Sequence, residues 1–120
     1  MMTLIEGLPA DVLGIAASGK VTHSDYRDVL IPSAEAMMAK GPIKMVYVIG
    51  ADVTGFELEA MWDDGAFGAR HWRDFSRVAV VTDHAWLRGT VSLFAPLFPS
   101  EVRLFTVADL PAANAWISRP

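Results

Sequence analysis

From Val78 to Val81 the chain reads Val-Ala-Val-Val, and between Ala85 and Ser100 the only charged side chain is Arg88. A β-branched run without polar alternation suits a strand covered on both faces, the situation of a central strand in a parallel sheet. The nearly uncharged segment that follows must either cover that sheet as a helix or present apolar surface for a purpose. Any fold open to this chain has to place that strand and that helix together.

The 120 residues are enough for one domain, residues 1–120, that buries roughly two-thirds of its unfolded surface. Hydrophobic residues make up 52 % of the chain, which excludes intrinsic disorder and leaves a surplus for a ligand cavity, an oligomer interface or a membrane face. A net charge of −4 argues against a phosphate-driven footprint, so nucleic acid is not an expected partner. With no Cys, disulfides, thiolate metal sites and cysteine nucleophiles are absent by composition, as suits a cytoplasmic protein. Met1 to Ala17 lacks the basic start and continuous apolar core of a secretory signal, and no apolar run approaches the length of about 18 residues that spans a bilayer.

Alternation and turn residues predict strands near Met2 to Ile5 and Val12 to Ala17, joined through Gly7 to Pro9 as an antiparallel pair. Thr22 and Asp25 have capping-box spacing and open a helix from about Ser24 to Ala39. Tyr26, Val29, Leu30, Ala34, Met37 and Met38 form its buried stripe, Pro32 is expected to kink it, and Gly41-Pro42 ends it. Ile43 to Ile49 is a strand. A turn over Gly50 to Gly55 leads to a second helix from about Phe56 to Phe75, with Leu58, Met61, Trp62, Ala69 and Trp72 at helical spacing. Gly65 and Gly68 each disfavour a helix interior by about 1 kcal/mol relative to Ala, so a break or mobile stretch is expected around Asp63, Asp64 and Gly65.

After the Val78 to Val81 strand, a third helix runs from about Ala85 to Leu97, with Leu87, Val91, Phe94 and Phe98 on one stripe and Trp86, Leu93 and Pro96 off it. Glu101 to Phe105 is the last strand, and Asp109 caps a closing helix whose Leu110, Ala113 and Trp116 or Ile117 face the sheet. Strands alternating with helices after an initial hairpin give an α/β sandwich: a mixed five-stranded sheet with parallel central strands and about four helices.

The pattern Phe75-x-Arg77-Val-Ala-Val-Val81-x-Asp83-x-x-Trp86, followed by Glu101-Val-Arg-x-Phe105 and Ala112-Ala113-x-x-Trp116, resembles the SpoIIAA-like bacterial proteins, which belong with STAS domains. The resemblance runs through nearly the whole chain in order of elements, and its positions are mostly core apolar ones. It implies a STAS-type βαβ sandwich, also likened to the CRAL-TRIO lipid-binding fold, in proteins suspected of membrane association or of binding apolar ligands beneath mobile helices.

The residues support an apolar ligand independently. A glycine-interrupted helix carrying Met61, Trp62 and Phe67 lies in sequence next to an almost uncharged one carrying Trp86, Leu87 and Phe94, a pair suited to open and close over a cavity. In the plainer reading the same side chains simply fill the core. A membrane surface is also suggested, because Arg70, Arg73, Arg77 and Arg88 outnumber Asp74 and Asp83, although the overall acidity opposes anionic lipid. A homodimer would use the same apolar helix surface.

A different class of function is suggested by Asp52-Val53-Thr54-Gly55, similar to the Asp-Ser-Ser-Gly turn of anti-sigma-factor antagonists, in which a partner kinase phosphorylates the second hydroxyl residue. The resemblance makes Thr54 the counterpart, with Asp52 and Gly55 shaping the turn and the next helix offering its N–H groups to a phosphate. Val53 replaces the first Ser, and the acids that follow Gly55 would repel a phosphate; in the plainer reading Asp52 and Thr54 only cap the helix. No nucleophile elbow, P-loop, dinucleotide fingerprint or zinc-protease pair is present. His23, His71 and His84 are scattered, and Asp63-Asp64 point about 100° apart on a helix. The expectation is a non-enzymatic protein without cofactor or metal.

Overall fold

A computed structural model describes residues 1–71, 73–97 and 100–119, with the side chains of 58–64 and 94 outside the description. Strands β1 (Met2–Leu4), β2 (Val12–Ala17), β4 (Ile43–Ile49), β6 (Phe75–Thr82) and β7 (Glu101–Phe105) form a sheet in the order β1-β2-β4-β6-β7. β1 is antiparallel to β2, and every other pair is parallel. The sheet is the mixed five-stranded one expected. Two short strands, β3 (Lys20–Val21) and β5 (Gly55–Phe56), pair in parallel as a separate ladder that two-residue runs leave no periodicity to reveal.

Helical segment 23–38 begins with α1 (His23–Asp25), passes through a π turn at Tyr26–Leu30 and continues as α2 (Ile31–Met38). With α3 (Leu58–His71), α4 (Ala85–Phe94) and α5 (Leu110–Ile117), the described helical elements amount to four. The capping box is formed: the Asp25 N–H donates to the Thr22 hydroxyl at 3.2 Å, and the Thr22 N–H to the Asp25 carboxylate at 2.8 Å. Just before Pro32, where a kink is expected, the segment widens into a π turn in which the Ile31 N–H donates to the Tyr26 carbonyl, and Pro32 itself stands in the first turn of α2. Gly41, with φ 132°, ends the segment in a conformation other residues avoid.

Burial alone would raise the Asp25 carboxyl, but hydrogen bonds from the Thr22 backbone, the Met1 ammonium and the Thr22 hydroxyl outweigh it and hold the pKa below its ordinary value. The stability Asp25 contributes is therefore present above the usual aspartate range and lost as pH falls through the lowered value. Thr22→Ala is expected to reduce unfolding free energy by about 1 kcal/mol in urea denaturation; no change would show that the box carries no weight.

Alternation along β4 divides the interior in two. Ile43, Met45, Tyr47 and Ile49 join the larger core with Tyr26, Leu30, Ala34 and Phe67, so α1, α2, α3 and α4 lie on that face. Val46, with Ala79 and Val81 of β6, packs on the opposite face against Ala113, Trp116 and Ile117 of α5. Both Trp116 and Ile117 face the sheet. The β1–β2 connection crosses the α5 face beside Gly14, where an added Cβ would stand 2.6 Å from Leu8 Cδ1 and 2.8 Å from Ile5 Cβ.

Three helix boundaries differ from expectation. α3 starts at Leu58 and ends at His71, because Phe56 belongs to β5 and Phe75 opens β6. It runs unbroken through Asp63, Asp64 and Gly65, so the glycines' helix penalty is met by the rest of the helix rather than released as a break. α4 gives way to a 3-10 turn at Ala95–Leu97. Asp109 stands at the start of α5 but makes no capping bond with its side chain; its carboxylate accepts from the Thr106 hydroxyl at 3.0 Å instead. Trp72 and Phe98, assigned to buried stripes, lie outside the described residues, as does the side chain of Leu58, and Ala69 is exposed, because the buried side of α3 there runs through Phe67.

Candidate functional site

A cavity of about 320 Å³ lies between the larger-core face of the sheet and the helices above it. Its floor is Met45 and Tyr47 of β4, Phe75, Val78 and Val80 of β6, and Val102 of β7. Phe75 and Val78 are three residues apart and cannot share a face of a regular strand. They do so because Ile43 pairs with Phe75 while Lys44 pairs with Arg77, leaving Ser76 as an extra residue in a β-bulge. The bulge brings the Phe75 ring under the helices and sends Arg77 to the other face, where its guanidinium donates to the Arg119 carbonyl at 3.0 Å.

Phe67 and Gly68 of α3, Thr90 and Val91 of α4, and Leu30 of the π turn close the cavity, with Ala95 and Ser100 at one end. Phe67 is 3 % exposed and meets Phe75 edge-on, ring centroids 6.1 Å apart. Among the described residues no charged side chain is on the wall, and its polar members are Tyr47, Thr90 and Ser100. The Tyr47 hydroxyl shares a 3.1 Å hydrogen bond with that of the buried Tyr26, and the Thr90 hydroxyl donates to the Trp86 carbonyl at 2.8 Å.

Of the residues expected around an apolar ligand, Phe67 is on the wall. Met61, Trp62 and Phe94 have side chains outside the described residues. Leu87 packs into the same core without bordering the cavity. Trp86 does not line it: its ring is 52 % exposed and sits edge-on to Phe56 at 6.0 Å, near the start of α4, whereas the cavity lies under the later turns of that helix. The floor residues escaped sequence reasoning, although the Ile43, Met45, Tyr47 alternation marks the face they share.

Arg88, the only charge between Ala85 and Ser100, turns inward and donates to the carbonyls of Thr82 at 3.0 Å and Phe105 at 3.1 Å. It ties the ends of β6 and β7 together and leaves the outward side of the segment uncharged, with Trp86 at 52 %, Leu93 at 71 % and Leu97 at 69 % exposure. Arg88→Met is expected to lower stability by about 2 kcal/mol in urea denaturation, since two strand-end carbonyls lose a charged donor. A loss below about 0.5 kcal/mol would mean that water replaces the guanidinium without penalty.

Asp52 and Thr54 are exposed, and the Thr54 N–H donates to the Gly19 carbonyl at 2.9 Å. Gly55 belongs to β5, so that strand stands between Thr54 and the first turn of α3. The helix N-terminus expected directly after the turn, where its N–H groups would hold a phosphate, is displaced to Leu58. His71 bonds through Nδ1 to Asp74 at 2.8 Å, and His84 through Nε2 to the Gly50 carbonyl at 3.0 Å, each in its own local setting. Among the described residues there is no group of three metal-binding side chains, and no described helix is long and apolar enough to cross a membrane.

A sequence profile described as SpoIIAA-like matches residues 12–118. Among solved structures, the chain is similar to an uncharacterised protein of the DUF3478 family with a SpoIIAA-like fold from Shewanella loihica PV-4. The two are 27% identical with a TM-score of 0.79, over 97% of this chain and 93% of that one. No curated protein matches the chain.

Proposed function

The chain belongs to the SpoIIAA-like family, and from that premise we propose that it is a non-enzymatic protein that binds a lipid or other apolar small molecule in the cavity beneath α3 and α4. The observation that carries this reading is a space of about 320 Å³ whose wall, among the described residues, holds no charged side chain. The space is open to solvent on one side, and a concave, mostly apolar site with a few polar groups is the usual form of a small-molecule site. Apolar surface lining it gains free energy when a ligand displaces water or fills empty space, at about 25 cal/mol per Å² removed from water. Native mass spectrometry of protein purified without detergent, coupled to solvent extraction, tests the reading. A reproducible added mass matching an extracted apolar compound is expected. An apo spectrum that stays apo after incubation with medium-chain and long-chain lipids would contradict it.

One observation favours a second use of the same helix. With Arg88 turned inward, the outward side of α4 and its 3-10 extension offers Trp86, Leu93 and Leu97 to a membrane surface. Flotation with neutral vesicles is expected to carry the protein and to lose it on Leu93→Ser with Leu97→Ser. Absence from both neutral and anionic vesicles would dispose of this use, and a dimer in the same native spectra would assign the face to self-association.

A further inference from the structure

We infer that α3 and α4 dock on an anionic bilayer with their C-terminal ends leading, so that Leu93 and Leu97 enter the interface while Arg70 and Arg73 meet lipid phosphates. The inference rests on the membrane use of α4 proposed above and adds to it a lipid class and an orientation.

The net charge of −4 is unevenly placed, and the parallel strands give the direction of the imbalance. Asp52, Glu57, Asp83 and Asp109 stand at the C-terminal ends of the strands, with Lys20 as a counter-charge, since Arg88 is turned inward onto the Thr82 and Phe105 carbonyls. Cations collect at the other end. Lys40, Arg70 and Arg73 are exposed where α2 and α3 give way to β4 and β6, and Arg103 and Arg119 are exposed on the α5 side. Most acids there have a local partner: Asp11 lies 3.5 Å from Lys44, Glu101 lies 3.9 Å from Arg103, and Asp74 bonds to His71 at 2.8 Å. Glu6 is exposed in the β1–β2 connection, and Glu35 stands a turn farther back on α2. The helix side of this end therefore carries a surplus of positive charge.

The exposed leucines are at the same end. α3 and α4 each start beside the C-terminal end of one strand and finish beside the start of the next, and Gly68 and Ala95, near their finishes, border the same cavity. Arg70 and Arg73 thus share this end with Leu93 and Leu97, which are 71 % and 69 % exposed. Trp86 stands seven residues before Leu93, about 10 Å back along α4. A soluble acidic partner would be matched by the arginines and a neutral bilayer by the leucines; a bilayer containing anionic lipid uses both, with the leucines among acyl chains and the guanidinium groups among phosphates. The overall acidity would repel such a surface if it were spread evenly. Carried at the opposite end, it instead orients the molecule, turning the acidic strand ends away from the negative leaflet.

Flotation of the full chain tests this with vesicles of phosphatidylcholine alone and of phosphatidylcholine mixed in equal parts with phosphatidylglycerol. Each cation held near an anionic leaflet contributes roughly fivefold to partitioning, so binding to the mixed vesicles is expected to exceed that to the neutral ones by at least about tenfold. In about 1 M salt, where the screening length is about 3 Å, that advantage is expected to vanish. Arg70→Gln with Arg73→Gln is expected to lose at least about tenfold on the mixed vesicles and nothing on the neutral ones. Lys20→Gln with Arg27→Gln removes as much charge from exposed positions elsewhere and is expected to change neither. Equal binding of the wild type to both vesicles, or an equal loss in the Lys20 and Arg27 variant, would overturn the lipid class and the orientation while leaving the apolar contact of α4 standing. Arginine-dependent binding that survives Leu93→Ser with Leu97→Ser would make this surface a site for an acidic partner instead of a bilayer. Binding to neither kind of vesicle would instead fell the underlying membrane reading.

Discussion

Phe67→Ala is expected to destabilise the fold by about 3 kcal/mol and to make the variant unusually responsive to apolar ligands. The Phe67 ring is buried between α3 and the sheet, edge-on to Phe75, with His71 at 4.8 Å between ring centroids. Removing it forfeits the transfer free energy of an aromatic side chain and adds its volume to an existing space of about 320 Å³. The lower part of the range for Phe→Ala, about 3 to 5 kcal/mol, applies because one side of the ring already borders that space and makes fewer contacts than a fully enclosed one. Ligand linkage provides the decisive readout. A compound that fills the enlarged space stabilises the native state in proportion to the logarithm of its concentration over Kd, so saturating apolar ligand should raise the melting temperature of Phe67→Ala more than that of the wild type. Equal shifts would place the ligand elsewhere.

Trp116→Ala is expected to cost about 3 to 5 kcal/mol by a different route, without altered ligand response. Among the described helices α5 alone covers the second face of the sheet, through Ala113, Trp116 and Ile117 against Val12, Val46, Ala79 and Val81. The Trp116 ring lies 6.0 Å from that of Phe105, with the Arg103 guanidinium 4.8 Å and the Arg77 guanidinium 5.8 Å from its centroid. Truncation removes a large buried area and two cation–π contacts, each about 0.5 to 1 kcal/mol at an exposed site. A loss of several kcal/mol is a large share of an ordinary domain's stability of about 5 to 15 kcal/mol. Urea denaturation should show a lower midpoint with the dependence on denaturant unchanged. A loss under about 1 kcal/mol would mean that α5 contributes little to holding this face closed. Because the cavity is on the other side of the sheet, ligand should shift the melting temperature of Trp116→Ala as it shifts that of the wild type.

Period and punctuation made the sheet legible. Ile43 to Ile49 and Glu101 to Phe105 were readable to the residue, since each is bounded by turn residues and carries the β-branched or alternating pattern of its environment. What escaped was set by contacts that composition does not record. The β3–β5 ladder rests on backbone pairing between two-residue segments. Continuity of α3 through Gly65 reflects a sum over fourteen residues, against which a local penalty at one glycine is small. The displacement of Thr54 from the helix start followed from the same short ladder.

The candidate site was legible as a pair of apolar helices but not as a volume. Phe67 could be named because it is a large apolar residue on one of them. Trp86 was named for the same reason, yet one residue of helical rotation, about 100°, separates it from the inward Leu87 and decides which side of α4 it occupies. The β-bulge at Ser76, which sets both Phe75 and Val78 in the floor, depends on the register between β4 and β6, and register is a property of two strands.

The most direct measurement is methyl NMR of the valines and leucines during titration with n-decanol. Val78, Val80, Val91 and Val102 border the cavity, while Val12, Val46 and Val81 belong to the core beneath α5. A binding protein of the kind described shifts the first four resonances saturably and leaves the other three in place. If none of the first four moves, or if the changes fall instead on Leu93 and Leu97 of the outward face, the cavity does not hold the ligand and the account is contradicted.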